Sequence, residues 1–168
     1  MKRIISLLAL TLTLFVSTSS AKGLVAYQGE IDFGYALGVG KESSGRASLH
    51  TIQGISIGKY LSTGFGTGFD YHHNFDDSSE VVVPMYLNIK GYLPTGKSIC
   101  PYLSCDVGAG IGVTDTLDND CGLYIAPAVG FVWKILKVQV GYNLQNLNNI
   151  DLGKLSMSSV QLKVGFVF

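Results

Sequence analysis

The chain has 168 residues, with 12 acidic and 12 basic side chains, so its formal charge is zero and only 14% of it is charged. Such a balance supplies no basic field to attract nucleic acid and excludes that class of partner. Mean hydropathy is positive, yet after the N-terminal leader no stretch stays apolar for the roughly 20 residues that a membrane-spanning helix needs.

In chain order, Met1–Ser20 reads MKRIISLLALTLTLFVSTSS: two basic residues, an apolar run from Ile4 to Val16, then small residues. The run of about 13 residues is too short to span a bilayer as a helix, and Ser19 and Ala21 occupy the small positions that precede a cleavage point. Residues 1–21 are expected to be a secretory signal peptide cleaved after Ala21. Residues 22–168 then form one exported domain, with no cysteine placed for lipid attachment.

The rest of the chain alternates. Only a strand has a side-chain period of two, and eight segments show it. Val25–Val39 sets Tyr27, Ile31, Phe33, Tyr35 and Leu37 against Glu30, Asp32, Gly34 and Ala36. Ala47–Gly58 is weaker: Leu49, Ile55 and Ile57 oppose His50, Gly54 and Ser56, but Ile52 and Gln53 break the pattern. Leu61–His72 sets Leu61, Phe65, Phe69 and Tyr71 against glycines, Asp70 and His72. Val81–Tyr92 sets Val83, Met85, Leu87 and Ile89 against Tyr86, Asn88, Lys90 and Tyr92. Cys100–Val113 sets Leu103, Cys105, Val107 and Ile111 against Tyr102, Ser104, Asp106 and three glycines. Leu123–Trp133 and Leu136–Gln145 continue the pattern, and Val160–Phe168 closes it with Val160, Leu162, Val164, Phe166 and Phe168 against Gln161, Lys163 and Gly165. Each segment is near the 9–11 residues of a tilted bilayer-crossing strand.

The connections alternate too. Gly40–Arg46, His73–Glu80, Thr114–Cys121 and Asn146–Lys154 are polar and longer, whereas Gly58–Tyr60, Pro94–Ser98 and Lys134–Ile135 are short. That alternation implies a meander of antiparallel strands. The expected fold is all-β: an eight-stranded antiparallel up-and-down transmembrane β-barrel, with both termini on the short-turn, periplasmic side. A soluble lipocalin-like barrel would turn the large side chains inward. Here the polar face holds nearly all the glycines, which suit a crowded interior, and the other face is large and apolar enough to aggregate in water. Tyr27, Tyr71, Trp133, Tyr142, Phe166 and Phe168 lie near strand ends, where interfacial aromatic girdles form.

The segments GKYLSTGFGTGFDYH (Gly58–His72), VPMYLNIKGYLP (Val83–Pro94) and CPYLSCDVGAGIG (Cys100–Gly112), with the terminal Phe168, resemble the small eight-stranded outer-membrane barrels of Gram-negative bacteria, of the OmpA and OmpX type. The resemblance covers essentially the whole exported chain and is specific for architecture, not for activity. It implies a bacterial outer-membrane location, contact with outer-membrane lipid, and an assembly signal at Phe166 and Phe168 read by the barrel-assembly machinery. The outer loops are shorter than in adhesive relatives, and no periplasmic domain is expected after Phe168.

No catalytic, cofactor or metal site is expected. His72 and His73 are adjacent on a strand and point to opposite faces, and Asp70 and His72 share a face without a serine elbow or HExxH pattern. Cys100 and Cys105 also face opposite sides and cannot bridge, and an odd cysteine count leaves a thiol unpaired. The polar face instead suggests a network inside the barrel, made of Glu30, Asp32, Asp70 and Asp106, of Lys90 and Lys163, and of His50 and His72. Charges removed from water must be paired, and aligning the periplasmic ends of the first and last segments puts Lys163 near Glu30, with His50 across from Asp70. The expected role is envelope-structural or surface-interacting, as a monomer. A narrow passive channel is the second reading. An outer-membrane lipid-modifying enzyme is the third, and it needs a rim constellation that the sequence does not present.

Overall fold

The computed structural model describes residues 24–38, 45–73, 79–96, 98–112, 121–149 and 153–168. The expected signal peptide and its cleavage point lie outside them. Eight strands follow one another: β1 (Val25–Gly38), β2 (Gly45–Ile57), β3 (Leu61–His73), β4 (Ser79–Tyr92), β5 (Ile99–Gly112), β6 (Cys121–Trp133), β7 (Leu136–Asn149) and β8 (Gly153–Val167). Every sequence neighbour pairs antiparallel, and β8 returns to β1, so the sheet is a closed barrel. Closure leaves no strand edge with unpaired amides, which a lipid surround would penalise heavily.

The registers fix the tilt. Stepping through paired residues from Ala26 to Ser56, Ser62, Lys90, Ser104, Ala128, Gly141 and Gln161 leads back to β1 at Ala36, ten residues above the start. With eight strands and normal strand spacing, that stagger tilts the strands by about 43° and gives a backbone radius of about 8 Å. A strand of 13 residues then rises about 31 Å, enough to cross a hydrocarbon core.

The two ends differ. At one end the strands join through Gly58–Tyr60, the segment 93–98 and the two-residue link Lys134–Ile135. Gly58 (φ 62°) and Lys134 (φ 58°) take the left-handed conformation that reverses a chain within a few residues. This turn end also holds Phe168, whose backbone exchanges two hydrogen bonds with Gly29, of 2.7 and 2.9 Å, and so seals the β1–β8 seam. The connections at the opposite, loop end fall mostly outside the described residues.

Alternation sorts the side chains between outside and inside. Leu103, Phe33, Phe65, Leu87, Val129, Val140 and Leu162 are exposed on the outer wall, while Tyr86, Tyr102, Tyr124, Lys90, Lys137 and Lys163 are fully buried in the lumen. The large tyrosines fit because their neighbours are glycines. Tyr86 pairs with Gly66 on one side and Gly108 on the other. A Cβ on Gly66 would lie 2.2 Å from the Tyr86 ring, and one on Gly108 would lie 2.5 Å from the Tyr86 Cα. Aromatics ring the outside near both ends: Tyr60, Trp133 and Phe168 at the turn end, Tyr35, Tyr71 and Tyr142 toward the loop end. From strand rise and tilt the two belts are on the order of 20–25 Å apart, close to the apolar band of an outer membrane.

Three sequence expectations change. Asn146–Asn149 and Gly153–Lys154, read as a long connection, are paired strand up to Asn149↔Gly153. On the loop side β8 therefore runs six residues beyond Ser159, which pairs with Gly38 at the end of the described part of β1. Beyond the bilayer neither face must be apolar, so this stretch carries no alternation to read. Cys121 is not in a loop but opens β6, opposite Ile111. Arg46, assigned to a connection, lies in β2 with its side chain buried.

Candidate functional site

The lumen is the site, and the tilt orders it in layers. Nearest the turn end, Glu30 accepts hydrogen bonds from Lys90 Nζ at 2.5 and 2.6 Å and is also bonded by Lys137. Lys137 Nζ bridges onward to Asp32 Oδ2 at 2.7 Å. Gln28 Nε2 donates to Glu30 at 2.8 Å and to the Tyr92 hydroxyl at 2.7 Å. Tyr102 donates to Gln139 Oε1 at 2.7 Å.

The middle layer is a second cluster. Asn88 Nδ2 donates to Asp106 Oδ1 at 2.5 Å, and Lys163 Nζ lies 4.0 Å from Asp106 Oδ2. His50 Nε2 is 3.0 Å from Asp70 Oδ1, and its Nδ1 lies 3.1 Å from Lys163 Nζ and 3.0 Å from the Tyr86 hydroxyl. A carboxylate can only accept, so Nε2 carries a proton; with the ring neutral, Nδ1 is the acceptor for the other two. Toward the loop end, Arg46 Nη1 is 3.4 Å from Asp70 Oδ2 and its Nη2 donates to Gln161 Oε1 at 3.3 Å. The Tyr86 and Tyr124 rings stack at 5.4 Å between centroids. His72 lies in the uppermost layer, buried beside this cluster.

All eight residues singled out for the lumen (Glu30, Asp32, His50, Asp70, His72, Lys90, Asp106 and Lys163) have buried side chains. His50 does meet Asp70. Lys163 does not meet Glu30: it sits opposite Gly34, whereas Glu30 is opposite Val167. Because of the stagger, β1 begins four residues below the level where β8 ends, so aligning the two chain ends displaced the pair. The cations that hold Glu30 are Lys90 and Lys137.

Lys137 and Arg46 are the lumen residues that the sequence reading omitted. Lys137 follows Leu136 directly, on the face that continues to Gln139, so its parity on the strand was a usable signal. Arg46 gave none, because the first positions of β2 lack an apolar partner set. With these two added, the buried acids Glu30, Asp32, Asp70 and Asp106 are matched among the described residues by Arg46, Lys90, Lys137 and Lys163. Cys100 and Cys105 are free thiols. At the rim Phe168 packs over Gly29, where an added Cβ would lie 2.5 Å from the phenyl ring.

Fold and lumen together define a class: the small, closed, eight-stranded transmembrane β-barrel with a charged interior. No protein-family model matches the chain, and no curated protein matches it by sequence. Solved structures do. Neisserial surface protein A is 15% identical over 85% of this chain and 97% of its own, with a TM-score of 0.59. The N-terminal β-barrel domain of Pseudomonas aeruginosa OprF is 13% identical over 84% and 97%, with a TM-score of 0.53. The outer membrane enzyme PagL is 14% identical over 80% and 97%, with a TM-score of 0.56. At such identities the likeness establishes the fold, which is that of the small outer-membrane barrels.

Proposed function

We propose that this protein is a monomeric outer-membrane barrel with a side-chain-plugged lumen, and that it serves as an envelope-structural or surface-interaction scaffold without enzymatic activity. The observation that carries the reading is the charge match inside the wall. Acids and bases pair across strands β1, β4 and β7 through Glu30, Lys90, Lys137 and Asp32, and across β2, β3 and β8 through His50, Asp70 and Lys163. A barrel about 8 Å in backbone radius has room for side chains and little else, and paired charges of both signs offer an ion no net field to follow.

The apolar outer wall would face outer-membrane lipid, and Phe166 and Phe168 at the turn end are the residues that the barrel-assembly machinery would read. The loop-side ends of the hairpins would then face the cell exterior on a rigid support, where interaction residues are usually carried. The outer membrane enzyme PagL, on the same fold, keeps an enzymatic role as the competing reading.

The test is reconstitution of the full exported chain into planar bilayers. The expected result is no steady conductance, together with recovery in the outer-membrane fraction and faster gel migration unheated than boiled. A steady, voltage-independent conductance would replace this reading with the passive channel. Chemical modification of outer-membrane lipid by the purified protein would replace it with the lipid-modifying enzyme.

A further inference from the structure

The chain has no formal net charge, but the barrel sorts its charges along the axis. Of the 12 acidic side chains, Glu30, Asp32, Asp70 and Asp106 are buried in the lumen. All the others belong to the loop end, in the connections there or in the first residues of β4. The turn end is the reverse. Its three connections, Gly58–Tyr60, 93–98 and Lys134–Ile135, carry one lysine each, Lys59, Lys97 and Lys134, and no acid. A surface charged only for solubility intersperses both signs. This end carries one.

Backbone geometry singles out one of the three turns. In two of them a glycine takes the left-handed conformation directly before the lysine: Gly58 (φ 62°) before Lys59, and Gly96 (φ 69°) before Lys97. Lys97 itself lies outside the described residues. In the β6–β7 turn the lysine takes that conformation itself, Lys134 at φ 58°, and it is the only non-glycine residue to do so among the described residues. Glycine or asparagine would sit there with less strain. Strain retained at an exposed, charged side chain points to a use for that side chain. Its neighbour Trp133 belongs to the turn-end aromatic belt and is half-exposed on the outer wall. Belt aromatics lie at the level of the lipid headgroups, and a lysine stem is long enough to place its ammonium among them.

We propose that the β6–β7 turn is a binding site for the headgroup of an anionic phospholipid, with the Lys134 ammonium paired to the phosphate and the Trp133 ring seated beside it at the interface. The inference rests on the membrane-barrel reading, and it adds the headgroup charge that this turn selects. A zwitterionic headgroup carries its own cation next to the phosphate, so it gains less from the lysine. One lysine near an anionic bilayer surface corresponds to a preference of about fivefold.

Trp133 is the single tryptophan and reports on lipid at this turn. The experiment is quenching of its fluorescence by lipids brominated in the acyl chains, with the full exported chain folded into phosphatidylcholine vesicles containing rising fractions of phosphatidylglycerol. Both leaflets have the same composition, so the direction of insertion does not matter. Brominated phosphatidylglycerol should bind beside Trp133 about fivefold more tightly than brominated phosphatidylcholine. Lys134→Asn, which suits the left-handed turn and removes the charge, should bring the two lipids to parity, and Lys134→Arg should keep the preference. Lys59→Asn makes the same change of net charge across the ring, four strands away. That is about 16 Å at the backbone, beyond the screening length of about 10 Å at 0.1 M salt, so the preference at Trp133 should stand. Equal binding of the two lipids by the wild type, or a preference that survives Lys134→Asn, would overturn the headgroup site. An equal drop for Lys59→Asn would mean a general surface potential and would overturn it too. In each of these cases faster gel migration unheated than boiled would leave the barrel reading intact, whereas a chain that never closes in vesicles would overturn that reading and the site with it.

Discussion

Lys137 ties the turn-side layer of the lumen together, and its removal is the sharpest test of the charge network. Its ammonium is fully buried and bonds both Glu30 and Asp32. In Lys137→Met, Glu30 keeps Lys90, but Asp32 loses its cation. Asp32 Oδ1 has no hydrogen-bond partner even in the intact barrel, so the variant strands a buried carboxylate. Breaking a buried pair by removing one partner costs about 3–5 kcal/mol, and Lys137→Met belongs in that range. Lys163→Met should cost less, about 1–2 kcal/mol, because Lys163 is 4.0 Å from Asp106 and Asp106 keeps its bond from Asn88. Adding Asp32→Asn to Lys137→Met removes the stranded charge and should recover about half of the loss, a coupling that a double-mutant cycle isolates. Denaturant unfolding in lipid vesicles reads the difference through Trp133, the single tryptophan, which lies on the outer wall beside the β6–β7 turn. If Lys137→Met costs no more than Lys163→Met, or if Asp32→Asn brings no recovery, Lys137 reaches water and the plug is not held as described.

Other outcomes follow from close contacts. Gly66→Ala drives a methyl into the buried Tyr86 ring and should cost about 1–3 kcal/mol; the same assay should show Tyr86→Leu relieving part of it, and an undisturbed Gly66→Ala barrel would show that Tyr86 is loosely held. Deleting Phe168 removes both backbone bonds of the seam to Gly29 and the terminal aromatic, so pulse-labelled cells should hold less inserted protein and more degraded chain, whereas unchanged outer-membrane levels would make the residue dispensable.

The sequence by itself determined the strand count, the order of connections and the sorting of residues between wall faces, since a period of two is a local property of each strand. It also determined that His50 meets Asp70, because the two strands are joined by the short Gly58–Tyr60 turn and the turn sets their register. The partners of Glu30 were a different matter. Lys137 is 107 residues away from it and Lys90 is 60, and which inward residues meet across the lumen depends on the ten-residue stagger accumulated around the whole ring. No single hairpin contains that number. The same holds for Asn143, Gln161, Tyr124 and His72: each reads as an ordinary inward position on its own strand, and only the closed, tilted barrel brings these buried side chains together toward the loop end of the lumen. The β7–β8 extension was illegible for the opposite reason, because a strand that leaves the bilayer loses the apolar face that announces it.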